Sequence, residues 1–503
     1  MDYVPGWKDY LLLFQFAGLF GFSGWLTYRL AVGRLQDQAI WGAPTGTRAD
    51  LFRSLISPLL LSTVCGLIVT SCFLILSAQR GVLRIRYLFL LLAVYSLVCL
   101  ACLLKSGALR WRLPTREWLA VRCRPQFQWS DLWLAGILLL GLFTFGKTAE
   151  YIASQRDPGE HANIAVRLAQ EQGLRFSDPD FQDFDEDRQK LFLPVLLEDA
   201  LFLEVVPGFS LLDAETGEMV PQYLHLFPLW LSLAFKLWRF DGLFGFNVLL
   251  GLLSLLLVVA LGIEIFRSKT VGLVASSLLC LNLGQIWLVR SPFSETLAQV
   301  LLLGGVWMLA LADSRRKGGL GFLAGMVFGL SLLVRIDSVL AILAVSMFLI
   351  LARSGLAGRV GLAVRPVAAG LAIGLAYSLA HFALFAYPYV LSILHNQGVL
   401  SFLARRWGWL LALALLATAL LVSSKRLMRL MRAWQARRFP ELKTPNDRLT
   451  RRRIVFVSLS ALVILVFVYG YFLRPMMATE ANLLPLAPPH QGAIPYYDEL
   501  NLV

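Results

Sequence analysis

Apolar runs of about 20 residues recur along this chain, each long enough to cross the roughly 30 Å hydrocarbon core of a bilayer as a helix. Twelve candidates are centred near Phe20, Leu67, Val94, Leu139, Leu255, Leu279, Leu303, Val327, Val345, Leu375, Leu415 and Leu462. In hydrocarbon every backbone amide must find its partner within the protein, so such runs become helices. Composition excludes a water-soluble globule: of 503 residues, 58% are hydrophobic and 16% charged, against roughly 45–50% and 25% in soluble domains. The fold class expected is an all-α polytopic membrane protein of about twelve transmembrane helices. One large extracytoplasmic loop domain of mixed α/β character interrupts them.

The net charge of +14 raises the question of nucleic acid, but no basic stripe interleaved with exposed aromatics is present, and none is expected as a partner. The charge reports topology instead, because Lys and Arg prefer cytoplasmic loops. The arginine-rich stretch from Ser424 to Arg453 is expected inside. Counting helices back puts Arg353 to Arg365, Arg315 to Lys317, Arg267 to Lys269 and Lys105 to Phe127 inside as well, and Glu150 to Asp241 outside. The same count exports the N-terminus and the loop carrying Arg80, Arg84 and Arg86, against the rule. The alternative would export the more basic Lys105 to Phe127. Met1 to Val32 lacks a basic leader and a small-residue cleavage site, so its apolar run is expected to stay as a helix. The six cysteines fall in or beside apolar runs, and Cys99 and Cys102 have no second pair, so neither a disulfide framework nor a zinc site is expected.

The external segment holds seventeen of the chain's 32 acidic residues, which makes it the place to look for chemistry. Phe209 to Val220 reads as a hairpin around Asp213-Ala214-Glu215-Thr216-Gly217. Tyr223 to Phe240 reads as a short interfacial helix. Arg156-Asp157-Pro158-Gly159-Glu160-His161 opens an amphipathic helix in which Ile164, Ala165, Leu168 and Ala169 share a face. Asp157 as N-cap, Pro158 at N1, Glu160 at N3 and Gly173 as terminator explain that helix without any chemistry. The same residues also place a carboxylate just outside the bilayer, beside Glu160 and His161, where it would take a proton from an acceptor hydroxyl.

Arg290-Ser291-Pro292-Phe293-Ser294-Glu295 forms a turn on the same side, either snorkelling and capping or facing a shared cavity. Arg335-Ile336-Asp337 reads as a tight turn at a membrane surface; the pair either neutralise each other, or Arg335 offers a fixed charge to a phosphate. The acidic run Asp180, Asp183, Asp185, Glu186 and Asp187 lacks the glycine and glutamate of an EF-hand, with Arg188 and Pro194 in their places, and reads as a solvated face. His381, inside a helix, is expected to hydrogen-bond a neighbouring helix. No Walker lysine loop, GxGxxG or HExxH occurs.

Together these residues resemble the GT-C superfamily of membrane glycosyltransferases, including the protein O-mannosyltransferases of glycosyltransferase family 39 and the bacterial lipid A aminoarabinose transferase. The matching features are Asp157-Pro158-Gly159-Glu160-His161 through Gly173, the return segment Pro221-Gln222-Tyr223-Leu224-His225-Leu226-Phe227-Pro228, the pair Arg290 and Glu295, and the later Arg335 and Asp337. They cover roughly 132–354, with 1–131 as extra N-terminal helices and 355–503 as C-terminal helices and tail. Members commonly have an aromatic residue where His161 stands, and the abrupt stop at Tyr497-Asp498-Glu499-Leu500-Asn501-Leu502-Val503 raises the expectation of further helices or a C-terminal domain beyond it.

The resemblance implies an inverting transfer of a sugar from a polyprenyl-phosphate donor to an extracytoplasmic acceptor, at a bacterial plasma membrane. Asp157 would be the base, with Glu160 and His161 beside it, and Arg290 and Arg335 would bind the donor phosphate. Tyr223 and His225 would line the loop side of the pocket. Glu295 and Asp337 would orient the acceptor or hold a divalent cation such as Mg2+ or Mn2+, since the superfamily has metal-dependent and metal-independent members. The partners implied are the lipid-linked sugar and membrane lipid, with the acceptor open. Two rivals of other classes stand: a carrier or lipid flippase, with Arg335, Asp337 and His381 on its substrate path, and a non-catalytic component of an envelope-assembly complex.

Overall fold

The computed structural model describes residues 7–33, 51–107, 128–150, 157–178, 183, 203–206, 208–213, 216–354 and 364–390. They belong to one compact unit, Met1–Thr418; a second, Ala419–Val503, lies outside the described residues. So do the expected spans at Leu415 and Leu462, the basic stretch 424–453, most of Lys105 to Phe127, Cys123, and all of the acidic run except Asp183.

Helix predominates. In chain order the helices are α1 (Trp7–Val32), α2 (Ser57–Gln79, entered through a π-helical turn at Phe52–Ile56), α3 (Ile85–Lys105), α4 (Trp129–Phe145) and α5 (Asp157–Glu171). After the strands come α6 (Leu226–Phe266), α7 (Lys269–Leu281), α8 (Leu283–Arg290), α9 (Glu295–Arg315), α10 (Gly318–Leu330), α11 (Val339–Ser354) and α12 (Val364–Phe385). Among the described residues six are long and apolar enough to cross a membrane: α1, α2, α3, α6, α9 and α12. The pair α7 and α8, bent by 66°, makes a seventh if taken as one span. The candidates at Leu139, Val327 and Val345 fall on α4, α10 and α11, which are apolar but shorter. Arg335 and Asp337 account for part of this shortness, because the chain leaves α10 through two 3-10 turns, Ser331–Leu333 and Ile336–Ser338, around that charged step.

Glycine sets the closest packing. Gly325 and Gly329 of α10 face Gly370 and Gly374 of α12, and a Cβ on Gly329 would stand 2.8 Å from Gly374 Cα. Such small-residue faces let membrane helices associate through backbone contact where no hydrophobic effect drives them together.

Charged pairs sort the loops by end. Glu264 pairs with Arg267 at 3.4 Å and Arg315 at 3.6 Å, and Lys269 with Asp131 at 2.6 Å. The loops at 267–269 and 315–317 therefore share one end with the start of α4, as the charge count required. The α2–α3 loop lies at the other end with α5, since the Leu83 amide donates to the Gln172 carbonyl at 2.9 Å.

Two local expectations are corrected. The segment from Tyr223 to Phe240 does form a short helix of its own, from Leu226 to the backbone break at Trp238 and Arg239 that splits α6 into two arms, but it is not interfacial, since Leu226 to Leu233 are buried. The left-handed residue ending α5 is Gln172 (φ 64), not Gly173. Gly173 serves close approach instead, since a Cβ there would stand 3.3 Å from Gly81 Cα.

The expected hairpin forms from β3 (Phe209–Asp213) and β4 (Glu218–Pro221), turned by Gly217 at φ 62. With β1 (Phe176–Ser177) and β2 (Leu203–Val206) they make an antiparallel sheet in the order β1-β4-β3-β2. Gly208, at φ +98, lets the β2–β3 turn lie against α5; a Cβ there would be 3.3 Å from Ile164 and 3.5 Å from Glu160.

Candidate active site

The first turn of α5 carries Asp157, Glu160 and His161 because its buried face, Ile164, Ala165 and Leu168, docks onto α6, with Ile164 against Gly208 of the β2–β3 turn. β4 delivers the chain to the same point, so Tyr223 follows two residues after Pro221. The Tyr223 hydroxyl reaches Asp157 Oδ1 at 3.1 Å and also bonds Glu160 Oε2. Burial, then Glu160 and Asp157, raise the Tyr223 pKa well above its ordinary value, so the phenol keeps its proton. One proton thus serves two carboxylates. Asp157 is the farther and the exposed one.

His161 is buried between aromatic rings, with centroids 4.6 Å from Tyr223 and 5.1 Å from Phe227. Burial, with the positive charge of Arg335, lowers its pKa to about 3, so the ring is neutral at physiological pH. It occupies an aromatic slot.

The second half of the site comes from the α8–α9 turn and the 3-10 turn after α10. Arg335 lies 2.7 Å from Glu295 Oε1 and 2.7 Å from Asp337 Oδ2, and donates to Ser294 Oγ at 3.3 Å. The Glu295 turn is held by Asn247 of α6, whose amide donates to the carbonyls of Ser291 at 2.6 Å and Phe293 at 3.0 Å. Asn247 is a positioning residue that the sequence reading passed over. An amide side chain inside an apolar run was the available signal.

Tyr389 joins the two halves. Its ring centroid is 5.5 Å from that of Tyr223. Burial first, then the negative charge of Asp157, pushes its pKa up to about 12, while Arg335, Asp337 and Glu295 also act on it. Its distance in sequence from every other member hid it.

Arg290 is not drawn into this cluster by any contact among the described residues. Its Nε donates to the Thr144 carbonyl at 2.6 Å and its own carbonyl accepts from the Ala149 amide, which ties down the C-terminal end of α4. His225 is buried and bonded to His381, Nδ1 to Nε2 at 2.9 Å, and His381 to Gln79 at 2.8 Å. The expected bond from His381 to a neighbouring helix is present, and the pair fastens the entry of α6 to α12 and α2.

Among the described residues no three His, Cys, Asp or Glu side chains gather to hold a metal ion. Glu295 Oε2 is buried with no hydrogen-bond partner among them, while Oε1 of the same carboxylate is taken by Arg335. Comparison of the chain with protein-family models, with curated proteins and with solved structures returned no match.

Proposed function

We propose that this chain is an inverting glycosyltransferase of the GT-C kind, with about twelve spans and its loop domain on the extracytoplasmic face of a bacterial plasma membrane. It would move a sugar from a polyprenyl-phosphate donor to an acceptor hydroxyl. The observation that carries this reading is one site at one end of the bundle, with Asp157 and Glu160 sharing the Tyr223 proton and Arg335 acting on His161 and Tyr389 beside them.

In this mechanism Tyr223 keeps its proton and orients Glu160 and Asp157 by hydrogen bonds, and Asp157 takes the proton of the acceptor hydroxyl as its oxygen attacks the anomeric carbon. The C–O bond to the phosphate breaks on the opposite face, and the lipid phosphate leaves with the bonding electrons. Arg335, held in place by Glu295 and Asp337, stabilises the charge that develops there. His161 keeps Tyr223 in position. A divalent cation held by Glu295 would supply further positive charge opposite the phosphate. Arg290 supports the turn that presents Glu295.

Charge placement disfavours the carrier reading. A substrate path across the bilayer calls for ionisable residues at mid-depth on several helices. Here His381 lies about a turn from the end of α12, and Gln79 ends α2. Glu264, Asp131 and Glu295 likewise sit at helix ends. The test is to incubate the purified chain in detergent with short polyprenyl-phosphate sugars and a panel of acceptors. Release of polyprenyl phosphate supports a transferase, and no donor consumption with any acceptor overturns it.

A further inference from the structure

Arg80, Arg84 and Arg86 stand on the end of the bundle that carries α5, where the charge rule gives no reason for arginine. Their loop is docked there: Arg84 Nε donates to Gln172 Oε1 at 2.6 Å, beside the Leu83–Gln172 backbone bond. Between this loop, the C-terminal end of α5 and the broken part of α6 lies a cleft of about 550 Å³. Arg84, Arg86, Lys236 and Arg239 line it with Phe235 and Gln170, and among the described residues no acidic side chain lines it. Lys236 Nζ donates to the Leu83 carbonyl at 2.5 Å, joining the two walls. Arg239 reaches the cleft from a positive-φ backbone, φ 49 and ψ −142, a conformation that persists where the surroundings impose it.

Four cations on one concave surface repel each other and attract an anion. We infer that this cleft binds the phosphate of a membrane lipid. Arginine forks match phosphate oxygens in pairs, and a phosphate monoester brings more charge than a carboxylate. The tail has a track: Arg86 shares a helical face with Leu90, Val94 and Leu97, all exposed on α3. The cleft is separate from the candidate active site. At 1.5 Å rise per residue, Gln170 is about 20 Å along α5 from Asp157, too far for one phosphate to reach both.

The experiment uses the full chain in neutral detergent in an Arg335→Gln background, which keeps the candidate active site from contributing. Retention of polyprenyl monophosphate, phosphatidylglycerol or inorganic phosphate is counted by native mass spectrometry, with and without Arg86→Gln and Arg239→Gln together. Expected are one retained phosphate lipid per chain and affinity reduced by about tenfold or more in the double variant at unchanged Tm. Preference for the monoester assigns the site to a polyprenyl lipid, and preference for the diester to a glycerophospholipid. Arg86→Glu alone, at an exposed position, is a second variant that should also lose the lipid. Undiminished retention in both variants overturns the inference, as does inorganic phosphate binding as tightly as either lipid.

Discussion

The Tyr223 hydroxyl stands 3.1 Å from Asp157 Oδ1 while it also bonds Glu160, so one phenolic hydroxyl bridges two carboxylates of one helical turn. Tyr223→Phe should therefore release both carboxylates from the position that the hydroxyl fixes. Turnover at neutral pH should fall by about tenfold or more, within the range of one general-base contact. Donor turnover at neutral pH and Tm, measured on both proteins, check this.

His161 bears on stability rather than on turnover. Its pKa falls from an ordinary 6.5 to about 3 through burial and Arg335. Between those values the unfolded chain binds a proton that the native chain refuses, so native stability declines as pH falls from 6.5 towards 3. His225, lowered by burial to about 4, acts in the same direction. His161→Phe should flatten the fall of Tm with pH across that window while leaving turnover near wild type. Tm measured at closely spaced pH values on the two proteins tests it.

The two arginines of the sequence motif should separate. Arg335→Gln removes the charge shared by Glu295 and Asp337 and should slow turnover by about a hundredfold, the scale of losing one transition-state contact. Arg290→Gln frees the Thr144 carbonyl and should lower Tm, with a smaller effect on donor affinity. Tm and KM for donor, measured on each variant, distinguish them.

The α10–α12 contact should tolerate no side chain. At Gly370 a Cβ would collide with the Phe322 carbonyl, whereas Gly136 on α4 has nothing within 4 Å. Gly370→Leu should cost about 3 kcal/mol or more through overpacking, and Gly136→Leu close to nothing. Detergent thermal stability of the two variants makes the comparison.

What the sequence made legible is local. Asp157-Pro158 starting a helix, the Asp213 to Gly217 turn and the Arg335-Ile336-Asp337 break follow from capping, turn chemistry and charge within a few residues, and the structure has them. Span length was less legible, because an apolar run shows that a segment is buried in something apolar without showing where its helix stops. Gly173 illustrates another limit. A glycine after a helix signals either a left-handed terminator or a close approach, and only packing against Gly81 separates the two. Tyr389 and the His225–His381 pair depend on helices distant in sequence meeting at one end, and no spacing rule reaches them.

The central claim is that Asp157 takes the acceptor's proton, and Asp157→Asn addresses it most directly. Asparagine caps a helix as well as aspartate and still accepts from Tyr223, so the fold should hold. The measurement is release of polyprenyl phosphate from polyprenyl-phosphate sugars by wild type and Asp157→Asn in detergent, with Tm recorded for both. Expected are equal Tm and turnover at least about a hundredfold slower in Asp157→Asn. An Asp157→Asn protein as active as wild type would contradict it and leave Asp157 a helix cap alone.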